Sequence, residues 1–178
     1  AFTASKTSLS DHLRWQLLMT KPGPEEELIG SHVIGNINKY GYLDTSIDEI
    51  AAICQAHPDK VGQVISMMQT FDPPGICATN LKECLLLQLK RLGIDDPLVV
   101  GLIQHHLKDL ENKRYKIISK AMKADIGQIV AAVNVIRCLD PKPGTQFNNE
   151  EPVYITPDVY VFKENGDLIV VLNDDDIP

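Results

Sequence analysis

Along the first three quarters of the chain, apolar residues recur every three or four positions, the period of a helix with one buried face. Leu9, Leu13, Gln16 and Leu17 share such a face behind Ser8, an N-cap with Asp11 at the third helical position, and Trp15 and Leu18 widen the apolar surface. Lys21-Pro22-Gly23-Pro24 ends this helix and starts the next, with Pro24 at its first position and Glu25, Glu26 and Glu27 at the positive end of its dipole. A favourable helix start explains that acid triplet without a catalytic or metal role. The second helix is expected to run to about Lys39 on Leu28, Val33, Ile34 and Ile37, with Gly41 as a left-handed C-cap. Ser46-Ile47-Asp48-Glu49 is a capping box that opens a short helix on Ile47, Ile50, Ile53 and Cys54. His57-Pro58-Asp59 breaks it, and a fourth helix carries Val61, Val64, Ile65 and Met68 forward.

Asn80 caps a fifth helix bearing Leu81, Cys84, Leu85, Leu86, Leu87, Leu89 and Leu92, apolar on most of its circumference. Such a helix is expected as the central strut of a first lobe, or shared with a second; an exposed face of it would instead dock a partner. Asp96 and Pro97 start a helix on Leu98, Leu102, Ile103, Leu107 and Leu110, ending near Glu111 and carrying His105-His106. Adjacent histidines point about 100° apart on a helix and cannot hold one ion together. Asp125 caps a last helix, 126–138, on Ile129, Val133 and Ile136.

Two of these helices end alike. Phe71-Asp72-Pro73-Pro74-Gly75 returns 68 positions later as Leu139-Asp140-Pro141-Lys142-Pro143-Gly144. The same offset places Val61, Val64, Ile65 and Met68 on Ile129, Ala132, Val133 and Ile136. Proline biases the preceding residue away from the helical region and offers no backbone donor, so each helix must stop at its aspartate. Gly75 and Gly144 then permit a sharp turn.

Beyond Gly144 the pattern turns to alternation: residues 159–162 and 168–172 flank Asn165-Gly166, a hairpin signal with a type I′ turn. A two-stranded hairpin is marginal alone and needs further packing or further chain. The expected fold is therefore mainly α, with two helical lobes of about eight helices, helix-turn-helix-like corners and a C-terminal β-hairpin. Residues 1–93 are expected to form a first lobe of five helices, 94–145 a second of three, and 146–178 the hairpin extension.

With 44% apolar residues and mean hydropathy of -0.08, the composition is that of an ordinary soluble globular protein. No signal peptide or membrane span is visible, so a cytoplasmic location and no membrane partner are expected. A formal charge of -7 opposes bulk attraction to DNA or an anionic membrane. Cys54, Cys77, Cys84 and Cys138 lack CxxC or Cys-His spacing and fit small core residues in a reducing compartment better than disulfides or zinc. Asp174-Asp175-Asp176 lacks the alternation and central glycine of a calcium loop. No phosphate loop, nucleophile elbow, HExxH or Cys-His pairing is found, so neither an enzyme nor a cofactor is expected.

Two nucleic-acid readings stay open. Residues 46–70 resemble a helix-turn-helix, the mark of an autonomous DNA-binding domain, although the second helix offers only Lys60, Gln63, Ser66 and Gln69 and no arginine for a guanine edge. Lys113, Arg114, Lys116, Lys120 and Lys123 form the one basic run of an acidic chain. That run is either a solvated helix face or a local surface for phosphate or an acidic partner.

The ordered motifs Ser8-Leu9-Ser10-Asp11-His12-Leu13-Arg14-Trp15-Gln16-Leu17, Gly41-Tyr42-Leu43, the stretch from Phe71 to Leu85, the second Asp-Pro turn, Pro157-Asp158-Val159 and Leu172-Asn173-Asp174 resemble the core-binding domain of the bacterial sigma-54 (sigma-N) factors. The resemblance spans about residue 8 to the end. It implies a module that binds core RNA polymerase in activator-dependent transcription initiation. In that family an AAA+ activator ATPase acts on an N-terminal segment, and promoter DNA is read mainly by C-terminal parts. The chain is accordingly expected to be a fragment of such a factor, and the basic run a contact to polymerase or promoter DNA.

Overall fold

A computed structural model of the chain describes residues 7–148 and, as backbone alone, 159–164 and 167–172. The chain divides into two units, Ala1–Asn148 and Asn149–Pro178. The first is mainly helical and holds nine α-helices among the described residues: α1 (Leu9–Met19), α2 (Pro24–Gly35), α3 (Ile47–Cys54), α4 (Pro58–Met68), α5 (Leu81–Leu92), α6 (Pro97–His105), α7 (Leu107–Glu111), α8 (Tyr115–Met122) and α9 (Ile126–Arg137). A 3-10 turn, Pro143–Phe147, follows.

Local chemistry explains the helix starts. The side chains of Ser8, Ser46, Asn80 and Asp125 accept from the backbone N–H three residues on, and Asp96 accepts from Leu98. The Glu26 carboxylate reaches back to the Gly23 N–H, and Glu49 to that of Ser46. Prolines stand at the first position of α2, α4 and α6, where the missing N–H costs nothing.

Two helices depart from the periodicity. α2 stops at Gly35, short of Lys39, because Asn38 gathers the backbone: its Oδ1 accepts from the N–H groups of Tyr40 and Tyr42. Gly41 (φ +96°) therefore lies in a loop. Within α2 the core takes Ile29, Val33 and Ile34, and Leu28 is 48% exposed. The helix expected from Pro97 to Glu111 breaks at His106 (φ -130°, ψ 16°), whose Nδ1 faces Asp109 Oδ2 at 3.3 Å; hence nine helices where periodicity gives about eight.

Two buried clusters organise the unit. One joins α1 to α4 and the first turn, around Leu13, Leu17, Ile29, Val61, Met68 and Phe71. The other holds Leu85 and Leu89 of α5 with Leu102, Ile103, Ile118, Ile129 and Leu139. The apolar face of α5 thus belongs to the second cluster, although its polar side grips the first turn. The repeat also extends further than the turns: Ser8, Leu13, Gln16 and Leu17 of α1 stand 72 positions before Asn80, Leu85, Gln88 and Leu89 of α5. Likewise α3–α4 and α8–α9 each hinge on a left-handed residue, Gln55 (φ 52°) and Lys123 (φ 53°).

Two Asp-Pro turns and candidate docking surfaces

Each Asp-Pro turn is held by a glutamine. Gln16 Oε1 accepts from Asp72 N–H and its Nε2 donates to Asp72 O, both at 2.8 Å. Gln88 makes the equivalent pair with Asp140, accepting from N–H at 2.8 Å and donating to O at 2.6 Å. A primary amide matches a peptide group donor for acceptor, so one side chain satisfies both backbone groups of a residue that cannot continue its helix. Gln16 is half-buried, and Gln88 is 5% exposed, the one buried polar residue among the core positions described.

α5 meets both turns. The Arg91 guanidinium pairs with the Asp72 carboxylate and donates to Thr70 O, closing the end of α4. A Cβ on Gly75 (φ +90°) would lie 2.8 Å from Cys84 Sγ and from Gln88 Nε2, so the first turn passes against the helix that clamps the second. The second turn docks on the 38–44 loop: Gly144 N–H donates to Tyr40 O at 2.9 Å, and the Tyr42 hydroxyl donates to Pro141 O. A Cβ on Gly144 would sit 2.7 Å from Gly41 N and Tyr40 C. Phe71, Pro73, Gly75, Pro143 and Gly144 are buried, whereas Asp72, Pro74, Asp140 and Pro141 are exposed. These are structural joints.

The basic run lies on the surface around α8. Lys116 and Lys120 project from it, Lys123 ends it, and Lys113 (φ 54°) and Arg114 precede it; all five are exposed. Arg114 approaches the Asp109 carboxylate at 3.8 Å, and the four lysines have no ion-pair partner among the described residues. Ile117 and Ile126, 54% and 48% exposed, interleave with them. The corresponding helix of the first corner, α3, carries Asp48 and Glu49 instead.

The polar residues of α4 are differently placed. Lys60 Nζ is paired with Glu26 at 2.8 Å, and Gln69 Nε2 donates to Cys77 O and to Glu83. Of the four candidate base contacts only Gln63 and Ser66 remain exposed and uncommitted among the described residues. His105 and His106 rings stand edge to face, 6.5 Å apart, and no group of three or more metal-ligating side chains occurs among the described residues. Cys77 and Cys84 are buried, Cys54 partly so, and Cys138 is exposed; burial, with a smaller contribution from Glu83, pushes the Cys77 thiol up to about 12. Asp174, Asp175 and Asp176 lie outside the described residues. No helix among the described residues is long and apolar enough to cross a membrane.

Periodicity placed Gln16 on the core-facing stripe of α1 without saying what it holds. Its counterpart Gln88, and Arg91, were hidden in the leucine run of α5. The signal that finds both glutamines is the offset of 72 between the two capped helices.

The described residues form an α-helical scaffold built as a repeat, in which Gln16 and Gln88 each hold an Asp-Pro turn. The family model for "Sigma-54 factor, core binding domain" matches residues 1–178, and the chain belongs to that family. It is 37% identical over its whole length to RNA polymerase sigma-54 factor 1 of Bradyrhizobium diazoefficiens, covering 37% of that protein. Over its whole length it is also 35% identical to the RNA polymerase sigma-54 factor of Pseudomonas aeruginosa, of which it covers 37%, and over 96% it is 34% identical to that of Salmonella typhimurium. The chain thus spans about 37% of the length of these relatives.

Proposed function

We propose that this chain is the module by which a sigma-54 factor docks on core RNA polymerase, acting by binding and not by chemistry. The observation that carries the reading is the match of the core-binding family to the entire chain. The clamped turns support it, since they hold helices in fixed register for a large partner. Co-migration of the purified chain with core RNA polymerase on a sizing column is the expected result; separate elution of the two at micromolar concentration refutes the reading. An autonomous helix-turn-helix over 46–70 is disfavoured by the commitment of Lys60 and Gln69 within the fold and by the net charge of -7.

Two helical lobes, each with a helix-turn-helix-like corner, are part of this proposal, and the buried clusters support α5 as the first helix of the second lobe. The terminal hairpin is also proposed, on the alternation of residues 159–162 and 168–172 about Asn165-Gly166. Lys113, Arg114, Lys116, Lys120 and Lys123 form a local contact to polymerase or promoter DNA. Reversing Lys116, Lys120 and Lys123 to glutamate in the full-length factor should weaken holoenzyme or promoter binding; unchanged affinity for both would remove this contact. A cytoplasmic location, the wider reading of promoter DNA and the action of an AAA+ activator ATPase on the full-length factor rest on the family resemblance.

A further inference from the structure

The second cluster leaves a groove of about 840 Å³ between α5, α7 and α9. Its floor and walls include Leu81, Leu85, Leu107, Leu110, Ile136 and Leu139. Leu81 is 42% exposed and Leu107, Leu110 and Ile136 are half-buried, so the wall is open to solvent. Lys108, Lys113 and Arg137 stand at the rim with Glu111 as the one acid, in a chain of net charge -7. None of the three cations has an ion-pair partner among the described residues.

We propose that this groove receives one amphipathic α-helix of the core enzyme, apolar toward the groove and carrying Asp or Glu where it passes the basic rim. The inference rests on the docking function proposed above and adds its location and chemistry. A helix fits better than an extended segment. Among the described residues no strand edge borders the groove, so an extended backbone laid on leucine side chains would lose its hydrogen bonds to water without replacement. A helix satisfies its own backbone and presents apolar anchors at i, i+3, i+4 and i+7. The net positive rim selects acids beside those anchors and would repel a basic helix.

The test uses the purified chain and core RNA polymerase. The double variant Lys108→Glu/Arg137→Glu alters exposed rim residues only and should bind at least about tenfold more weakly, with a shallower salt dependence. Lys21→Glu/Lys90→Glu makes the same charge change away from the groove and should stay within about twofold of wild type. Replacing Leu81 by the photocrosslinker p-benzoylphenylalanine should capture a core segment with helically spaced apolar residues flanked by acids. Wild-type affinity in the rim variant, an equal loss in the distant one, or capture of a basic segment overturns the inference while leaving the docking function intact. Failure of the wild-type chain to bind core enzyme overturns both, and is seen before any variant is made.

Discussion

The side-chain amide of Gln88 pairs with the backbone of Asp140 through both of its polar atoms, 52 residues away in sequence. Gln16 does the same for Asp72. Burial sets the difference between them. Gln88→Ala removes two hydrogen bonds to Asp140 and one to Cys84 Sγ and leaves a cavity, for an expected cost of roughly 2–3 kcal/mol, and Gln16→Ala, nearer solvent, about 1 kcal/mol. Gln88→Met keeps the volume and should recover part of the loss. Urea denaturation measures all three; equal costs for Gln16→Ala and Gln88→Ala would contradict the ranking.

Gly144 is required for space. The three atoms nearest an added Cβ are all backbone, Gly41 N and Tyr40 C at 2.7 Å and Lys39 O at 2.8 Å, and backbone cannot swing aside as a side chain can. Gly144→Ala should therefore destabilise by about 2 kcal/mol or more. Gly62, inside α4, has nothing within 4 Å of a built Cβ. Gly62→Ala should stabilise by about 0.5–1 kcal/mol through helix propensity. Thermal unfolding of the two variants should move in opposite directions.

Thiol reactivity should follow burial. Exposed Cys138 is expected to react with an aromatic disulfide reagent at pH 8 before partly buried Cys54, whose thiol burial also raises. Cys77 and Cys84 should react only on unfolding, because burial holds both thiols protonated. Rapid modification of all four cysteines in the folded chain would contradict this order.

Acid should weaken two helix starts. The Glu26 carboxyl lies below its ordinary value because it accepts from Lys60 and from the Gly23 N–H, and Glu49 because it accepts from the Thr45 hydroxyl and the Ser46 N–H. A carboxyl lowered by folding contributes stability above its unfolded pKa and loses it as pH falls through its folded one. Glu26→Gln and Glu49→Gln should therefore melt below wild type at pH 7 by a small margin, since solvent screens both sites. That margin should close as pH falls below the ordinary carboxylate range. A margin constant from pH 7 to pH 3 would exclude the carboxylate charge as its source.

Much of this architecture is local. Ser8, Ser46, Asn80, Asp96 and Asp125 start helices through contacts two or three residues long, and proline bars any helix from continuing past Asp72 and Asp140, although α4 already ends at Met68 and α9 at Arg137. Those signals, with the order of the motifs, were enough to read a mainly helical chain of the sigma-54 core-binding family. The break at His106 and the early end of α2 were not legible, since side chains of Asp109 and Asn38 draw the backbone away from a helix that periodicity permits.

The repeated Asp-Pro stop was determined by the sequence alone, because it depends on covalent geometry within a few residues. Only the tertiary structure decided what the stops are for. The six leucines of α5 spread over more than one face, so its own sequence does not say which is buried, and Leu81 and Leu92 stay 42% and 63% exposed. Packing placed Leu85 and Leu89 in the second cluster and set Gln88 and Arg91 against two turns distant in the chain. It also left the groove beside α7 open, because an unfilled wall is a property of several helices together and of none alone.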